Sequence, residues 1–369
     1  MKKISIITIL DNLNFGTYLQ AFALCKVTES FGYKPELVAY CRPGHSVSDQ
    51  YNKSLQSTRN PLKILARTYY AIRNLQLRKK DLSIIKNYLT SKKYYSYDDL
   101  LKDPPIADIY MTGSDQVWNS IYNRGIDKSF FLGYAPHNAT LISYGSSIGM
   151  AEIPTHEKQL MYNLLSRYKQ ISVREHSSIK MLTDIGIPEN KINHVLDPTL
   201  LMDKQQWKKF VKKRIHDFPY LLVYSVENKE HNQLVSEVAK IIAQKYNLKI
   251  VGVYYGSKST RIDSCDINHY RATPSMFLSL MYYADFAVVS SFHGTAFAIN
   301  FEKNFLTISP KMFNSRVIDI LHICKLENRI IYNIDNVSPT LQAINYSDVN
   351  RILEEKRDKS IYYLKKDLI

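Results

Sequence analysis

Asp285-Phe286-Ala287-Val288-Val289-Ser290-Ser291-Phe292-His293-Gly294-Thr295-Ala296-Phe297-Ala298-Ile299-Asn300-Phe301 is the stretch on which the fold turns. A short apolar run ends abruptly at Ser290, and small apolar residues resume at Ala296, so the pattern predicts strand, tight loop and helix. His293 then stands at a helix N-terminus. There the unpaired backbone N–H groups and the helix dipole favour an anion, and an imidazolium adds a full charge. Phosphate or carboxylate suits such a turn. Gly294 allows close backbone approach and Thr295 adds a hydroxyl. The next apolar run, Phe305 to Ile308, predicts a second strand that delivers Lys311 nearby, with Lys303 as its rival. A histidine at a strand end also serves in many proteins as a hydrogen-bonded structural residue, and that reading stays open here.

The same rhythm recurs along the chain. Ile4 to Leu10 reads as a strand, Tyr18 to Phe31 as a helix with Leu19, Ala23 and Val27 on one face, and Lys34 to Tyr40 and Ile106 to Met111 as strands. Ala139 to Tyr144, a helix from Thr155 to Tyr168, and Ile171 to Val173 continue it. Pro198 breaks the periodicity, after which strands at Tyr220 to Ser225, Lys249 to Tyr254 and Ala284 to Ser290 alternate with helices at Asn232 to Tyr246 and Ser275 to Tyr283. Such βα alternation predicts an α/β protein with mainly parallel sheets covered by helices on both faces. A length of 369 residues suits two domains, each with its own core, and two domains imply a cleft. We place them at 1–195 and 196–346. The charged segment 347–369, marked by Val349, Ile352 and Ile361, reads as a helix that packs back on the first domain.

A hydrophobic fraction of 45% excludes a disordered chain. The four cysteines, Cys25, Cys41, Cys265 and Cys324, are widely spaced with no C-x-x-C pair, which predicts neither zinc nor a disulfide framework and fits a reducing cytoplasm. Lys2 and Lys3 before an apolar run resemble the start of a signal peptide, but the run is short and meets Asp11, Asn12 and Asn14. A first buried strand explains it better, and no run of about 20 apolar residues is long enough to span a bilayer.

The net charge of +15 is uneven: residues 51–95 hold eleven Lys or Arg residues and one acid, Asp81. Leu62, Leu65, Tyr69 and Ile72 recur at helical spacing, and Ile84, Ile85, Tyr88 and Leu89 suggest a further helix. The spacing predicts amphipathic helices with apolar residues towards a core and charges outside. Three readings compete for this basic face: a solvated surface, a dock for anionic lipid or lipid pyrophosphate at the inner face of the membrane, and a nucleic-acid footprint. No nucleic acid is expected as a partner, because no recognised binding motif accompanies the charge.

In open α/β sheets ligands sit beyond the carboxyl ends of the strands. Asn14, Gly16, Thr17 and Gln20 follow the first strand, and one glycine there is no dinucleotide fingerprint. Ser114, Asp115, Gln116 and Trp118 follow another, a mixture of carboxylate, amide and indole that suits a sugar, with Asp115 a candidate proton acceptor. Arg174 stands just past Ile171 to Val173 and offers a planar fork for phosphate or carboxylate, pairing with Glu175 being the plainer alternative. There is no G-x-S-x-G elbow, no H-E-x-x-H, no Walker loop and no D-x-D-type cluster, which points to metal-independent transfer with no cofactor.

Asn14-Phe15-Gly16 with Leu19-Gln20-Ala21, Gly113 to Asn119, Ser143 to Ser147, Ser172 to Glu175, Leu196-Asp197-Pro198 and Ser291 to Thr295 together form an ordered series. In that order it resembles the polysaccharide pyruvyl transferase family. The resemblance implies a GT-B-like fold of two Rossmann-like domains facing across a cleft, the first on the acceptor side and the second on the donor side. It implies phosphoenolpyruvate as donor, a hydroxyl pair of a bacterial surface-glycan or exopolysaccharide precursor as acceptor, and a pyruvate ketal and phosphate as products. Arg174 and His293 match the family's anion-binding positions and become the candidate catalytic pair, with His293 either general acid or phosphate clamp. Gly294, Thr295 and Lys311 join them as candidate donor-binding residues. Asn14, Gly16, Gln20, Ser114, Asp115, Gln116 and Trp118 are the candidate acceptor-binding residues. Two alternatives remain open: a GT-B glycosyltransferase using a nucleotide sugar, and a non-catalytic glycan-binding relative.

Overall fold

Lys3–Ile7 (β1) is a buried, β-branched strand, and everything on the first sheet is placed around it. The computed structural model describes residues 1–11, 14–255, 261–310, 314–337 and 341–369. Lys34–Tyr40 (β2), Leu89–Tyr94 (β3), Ile109–Thr112 (β4) and Thr140–Ser143 (β5) complete a parallel sheet in the order β3-β2-β1-β4-β5. Ile171–Val173 (β6) and Ile192–His194 (β7) pair with each other and extend this sheet through single bridges, Ile142 to Gln170 and Ser146 to Val173. The second sheet is built from Tyr220–Tyr224 (β8), Lys249–Val253 (β9), Ile267–His269 (β10), Phe286–Val289 (β11), Asn304–Ile308 (β12) and Ile330–Ile331 (β13). Its order is β10-β9-β8-β11-β12-β13, again parallel. Central strands β1, β4, β8 and β11 are apolar on both faces, as a parallel sheet covered by helices requires.

The helix Phe15–Ser30 (α1) joins the two halves. A single apolar face was expected, but the helix is buried almost all round from Phe15 to Cys25. Such a helix belongs inside. Phe15 packs against Tyr224, Tyr255 and Phe277 at ring separations of 5.4, 5.3 and 5.0 Å, and Phe22 against Phe210 at 4.8 Å. One apolar cluster therefore contains Ile4, Ile6 and Leu37 from the first sheet together with Leu222, Val251 and Val289 from the second.

Two sequence expectations for the basic segment need correction. The helix foreseen around Ile84 to Leu89 is instead two short 3₁₀ turns followed by β3, an edge strand whose Lys92 and Lys93 point to solvent, as edge strands favour. Val47–Gln56 (α2) and Pro61–Asp81 (α3) are helices, but the apolar row of α3 does not face a core. Leu62, Leu65, Tyr69 and Ile72 are 77, 69, 56 and 51% exposed. The inner side of α3 is polar: Thr68 shares a hydrogen bond with Tyr51 of α2, Arg67 donates to the Ser54 carbonyl, and Arg78 Nη2 donates to the carbonyls of Asp11 and His45 at 2.7 and 3.1 Å. Leu77 alone among its large apolar residues is buried.

The helix Tyr346–Leu368 begins on the second half of the molecule, where Asn350 bonds Glu302, and ends on the first, where the Tyr33 hydroxyl donates to the Leu368 carbonyl. Between these, the Leu196 N–H donates to Ser360 Oγ and Ser172 Oγ donates to Asp367 Oδ2. Burial pushes the Asp367 carboxyl up to about 6. A carboxyl raised in the folded state stabilises fully below its unfolded value, ~4, and that contribution is lost as pH rises through about 6. Asp367→Asn removes the titration, so it is expected to raise Tm more at pH 8 than at pH 5. Thermal scans at both pH values check this; equal shifts would count against it.

Candidate functional site

His293 is held by the local chemistry of its turn. β11 ends at Val289, Ser291 caps the helix Phe292–Asn300 by accepting from the Gly294 N–H at 3.0 Å, and His293 occupies the first turn. Its imidazole lies against the first turn of α1: a Cβ built on Gly16 would fall 2.0 Å from His293 Nδ1. Asn14 caps α1 through Gly16 N–H and also accepts from the Tyr224 hydroxyl at 3.0 Å, fastening α1 to β8. Two helix N-termini from opposite halves therefore meet at one ring.

The carboxylate of Asp197 lies 3.7 Å from His293 Nε2. This residue caps a short turn, Pro198–Leu201, and its side chain is fully buried. It accepts from Arg174 Nη1 at 2.6 Å, Ser114 Oγ at 2.9 Å, and both the N–H and hydroxyl of Thr199 at 2.9 and 2.7 Å. Burial alone would raise this carboxyl, but the charge of Arg174 and the contact with His293 outweigh it and hold it well below the usual range. Arg174 is correspondingly raised, since Asp197 and Asp115 outweigh its desolvation. Its guanidinium lies 4.5 Å over the Phe292 ring. The alternative pairing with Glu175 is not the one adopted: Glu175 accepts from Ser147 Oγ, Gly149 N–H and Ser178 Oγ and braces the neighbouring loop.

Asp115 completes the group with a backbone φ of +79°, an uncommon conformation for a residue with a side chain. Oδ1 takes the Gln116 N–H at 2.9 Å and lies 3.9 Å from Arg174 Nη2 and 3.8 Å from Arg316 Nη1. Burial opposes its ionisation, yet Arg174, His293 and Arg316 hold it below its ordinary value. Arg316 was not anticipated. It lies in the first turn of Ser315–Ile323, a turn without acidic residues, and burial together with the nearby Arg174 pulls it down to about 10. An arginine at the positive end of a helix is disfavoured by the dipole, and that misplacement was the available sequence signal.

The remaining candidates divide. Ser114 is in the cluster, bonded to Asp197 and facing Arg174. Gln116 is buried beside it, its amide oxygen taken by Asn119. Gln20 points inward and donates to Thr8 and to the Thr17 carbonyl, while the Thr295 hydroxyl is used by Ser291 and Thr307. Trp118 must be corrected: its ring is 1% exposed, stacks on Phe131 and donates to the Phe130 carbonyl, so it offers no face to a sugar. Lys303 precedes β12, at the opposite strand end from the cluster, and is spent on the carbonyls of Tyr282 and Ala284. Lys311 lies outside the described residues.

What the arrangement offers is a set of buried donors without acceptors. Arg174 Nε and Nη2, Arg316 Nε and His293 Nε2 have no hydrogen-bond partner among the described residues. Buried polar groups are ordinarily satisfied, and each orphan costs about 1–3 kcal/mol. An anion with several oxygens would satisfy them together.

The architecture is similar to that of Methanocaldococcus jannaschii UDP-GlcNAc 2-epimerase in complex with UDP-GlcNAc and UDP, with a TM-score of 0.50 and 13% identity over 100% of this chain and 99% of that one. A further structure of the M. jannaschii enzyme gives 0.50 and 12%, over 96% of this chain and 93% of that one. MnaA of S. aureus, solved with UDP, gives 0.50 and 11%, over 98% and 90%. At such identities the likeness is one of fold, and it defines a GT-B-like protein of two Rossmann-like halves. No curated protein matches the chain in sequence. The sequence profile of the polysaccharide pyruvyl transferases matches residues 14–311, from the cap of α1 past β12, and the chain belongs to that family.

Proposed function

We propose that the protein transfers pyruvate from phosphoenolpyruvate to two hydroxyls of one sugar in a bacterial surface-glycan or exopolysaccharide precursor, forming a ketal and releasing phosphate. The observation that carries this reading is the set of orphaned donors on Arg174, Arg316 and His293. The donor substrate is a small polyanion with a phosphate and a carboxylate, and two guanidinium groups match both. Asp115 and Asp197 are already engaged by guanidinium and balance the two arginines, so it is the N–H groups still lacking acceptors, rather than an excess of charge, that would take the oxygens of an anion.

In this reading protonated His293 gives its Nε2 proton to the methylene carbon, and C2 becomes oxocarbenium-like. The first sugar hydroxyl attacks C2 and its proton passes to the now neutral imidazole. His293 then protonates the departing phosphate as the C2–O bond breaks, and the second hydroxyl closes the ketal, returning a proton to His293. One proton of the diol thus ends on the new methyl group and the other on phosphate. Asp197, beside Nε2, stabilises the imidazolium, and Arg174 and Arg316 hold phosphate and carboxylate where charge develops. Asn14, Ser114, Asp115 and Gln116 are the acceptor-side groups. With phosphoenolpyruvate as donor, this reading puts the reaction on the cytoplasmic side of the membrane.

Thermal unfolding with phosphoenolpyruvate and with UDP-, GDP- and CMP-sugars, at equal millimolar concentrations, tests the reading. A ligand of the native state at a hundred times its Kd adds about 2.7 kcal/mol. Phosphoenolpyruvate is expected to raise Tm, and His293→Ala to remove most of that rise. A shift with a nucleotide sugar alone would replace pyruvyl transfer by glycosyl transfer.

A further inference from the structure

The outer face of α3 reverses the usual amphipathic arrangement. Its inner side is tied by polar bonds to α2 and to the loop after β1, while Leu62, Leu65, Tyr69, Tyr70, Ile72 and Leu75 are 48 to 77% exposed. Exposed Lys63, Arg73, Lys79 and Lys80 lie among and beside them. A contiguous exposed apolar surface of this kind marks an interaction site. A cavity of about 420 Å³ lined by Lys79, Lys80 and Lys212 opens at the C-terminal end of the same helix.

We propose that this face docks the protein on the surface of an anionic lipid bilayer. The charge pattern selects that occupant. Segment 51–95 carries eleven basic residues and one acid, so a symmetric dimer through α3 would bring like charges together. Nucleic acid would satisfy the lysines and arginines but leave Leu62, Leu65 and Ile72 in water. A bilayer takes both: aliphatic side chains enter the acyl boundary, tyrosines lie at headgroup depth, and basic residues meet lipid phosphates. No helix among the described residues is long and apolar enough to cross a membrane, so the contact is peripheral. Arg78 ties the far end of α3 to the Asp11 carbonyl, on the loop that leads to Asn14 and Gly16. Docking would thus hold the acceptor side of the candidate site beside the membrane. The inference rests on the α3 surface alone and stands or falls separately from the choice of donor.

Co-sedimentation of the full chain with phosphatidylglycerol–phosphatidylcholine vesicles, and with phosphatidylcholine alone, tests it. The comparison variants are L62S/L65S/I72S and K63E/R73E, whose positions are exposed and which are expected to keep the wild-type fold, checked by thermal scan. Wild-type protein is expected to bind the anionic vesicles, and binding is expected to weaken at least about tenfold in each variant and on phosphatidylcholine. Failure of the folded wild-type protein to bind anionic vesicles, or unchanged binding by both variants, would overturn the proposal. So would a concentration-dependent dimer that L62S/L65S/I72S abolishes, or binding of a single-stranded oligonucleotide without binding of lipid.

Discussion

His293→Ala is expected to reduce turnover by about a hundredfold or more, the range for a lost general acid, with a smaller fall in Tm than Arg174→Ala. The imidazole has no hydrogen bond at Nε2 to lose, and removing it leaves the Asp197–Arg174 pair intact. Arg174→Ala is expected to lose as much activity but for two reasons. It removes an anion donor and also strips Asp197 of its 2.6 Å partner, and breaking a buried pair from one side costs about 3–5 kcal/mol. Phosphate released from phosphoenolpyruvate in the presence of cell-derived acceptor glycan, read beside a thermal scan, separates the two. Near-native turnover in both variants would remove these residues from the chemistry, and a large fall in Tm for His293→Ala would give the ring a structural role.

Gly16→Ala is expected to match the activity loss of His293→Ala although the glycine has no side chain to contribute to the chemistry. A new Cβ would lie 2.0, 2.1 and 2.6 Å from Nδ1, Cγ and Cβ of His293, closer than nonbonded atoms pack. Either the imidazole leaves its place or α1 shifts, and overpacking of this kind costs about 1–3 kcal/mol. The double variant G16A/H293A relieves the contact, so its Tm is expected to recover towards that of His293→Ala. Additive losses in the double variant would mean that the ring and the glycine do not meet in solution.

Much of this was legible in the residues. The strands β1, β2, β8, β9 and β11 follow short apolar runs closed by polar turns, and each turn residue singled out lies near a strand end because parallel sheets present those ends together. His293, Arg174, Asp115 and Ser114 are brought into one cluster for that reason. What escaped depends on distance in sequence. Asp197 stood within a quoted motif without a role, since its partners are residues 114, 174 and 293. Trp118 matched a sugar-binding composition, but composition does not say which way an indole turns. The rows of α3 matched a core-facing helix because spacing reports a stripe and not what lies opposite it. The edge strands β3, β7, β10 and β13 are short or polar, each with at most one buried residue, too few to show alternation.

The helix Tyr346–Leu368 also fixes an order of events during synthesis. Leu196, Ser172 and Tyr33 bond to residues 360, 367 and 368, so the first sheet meets these partners only after the second half has been made. At about 5–20 residues per second, the interval from residue 195 to the end of that helix is on the order of ten to thirty seconds. Until then the apolar cluster that contains Leu353, Leu364 and Leu368 lacks these members, and the residues they cover would stay exposed. Recruitment of a chaperone would fall in that window, and the docking of this helix, more than the folding of either half, would be the moment at which the exposed apolar surface is closed.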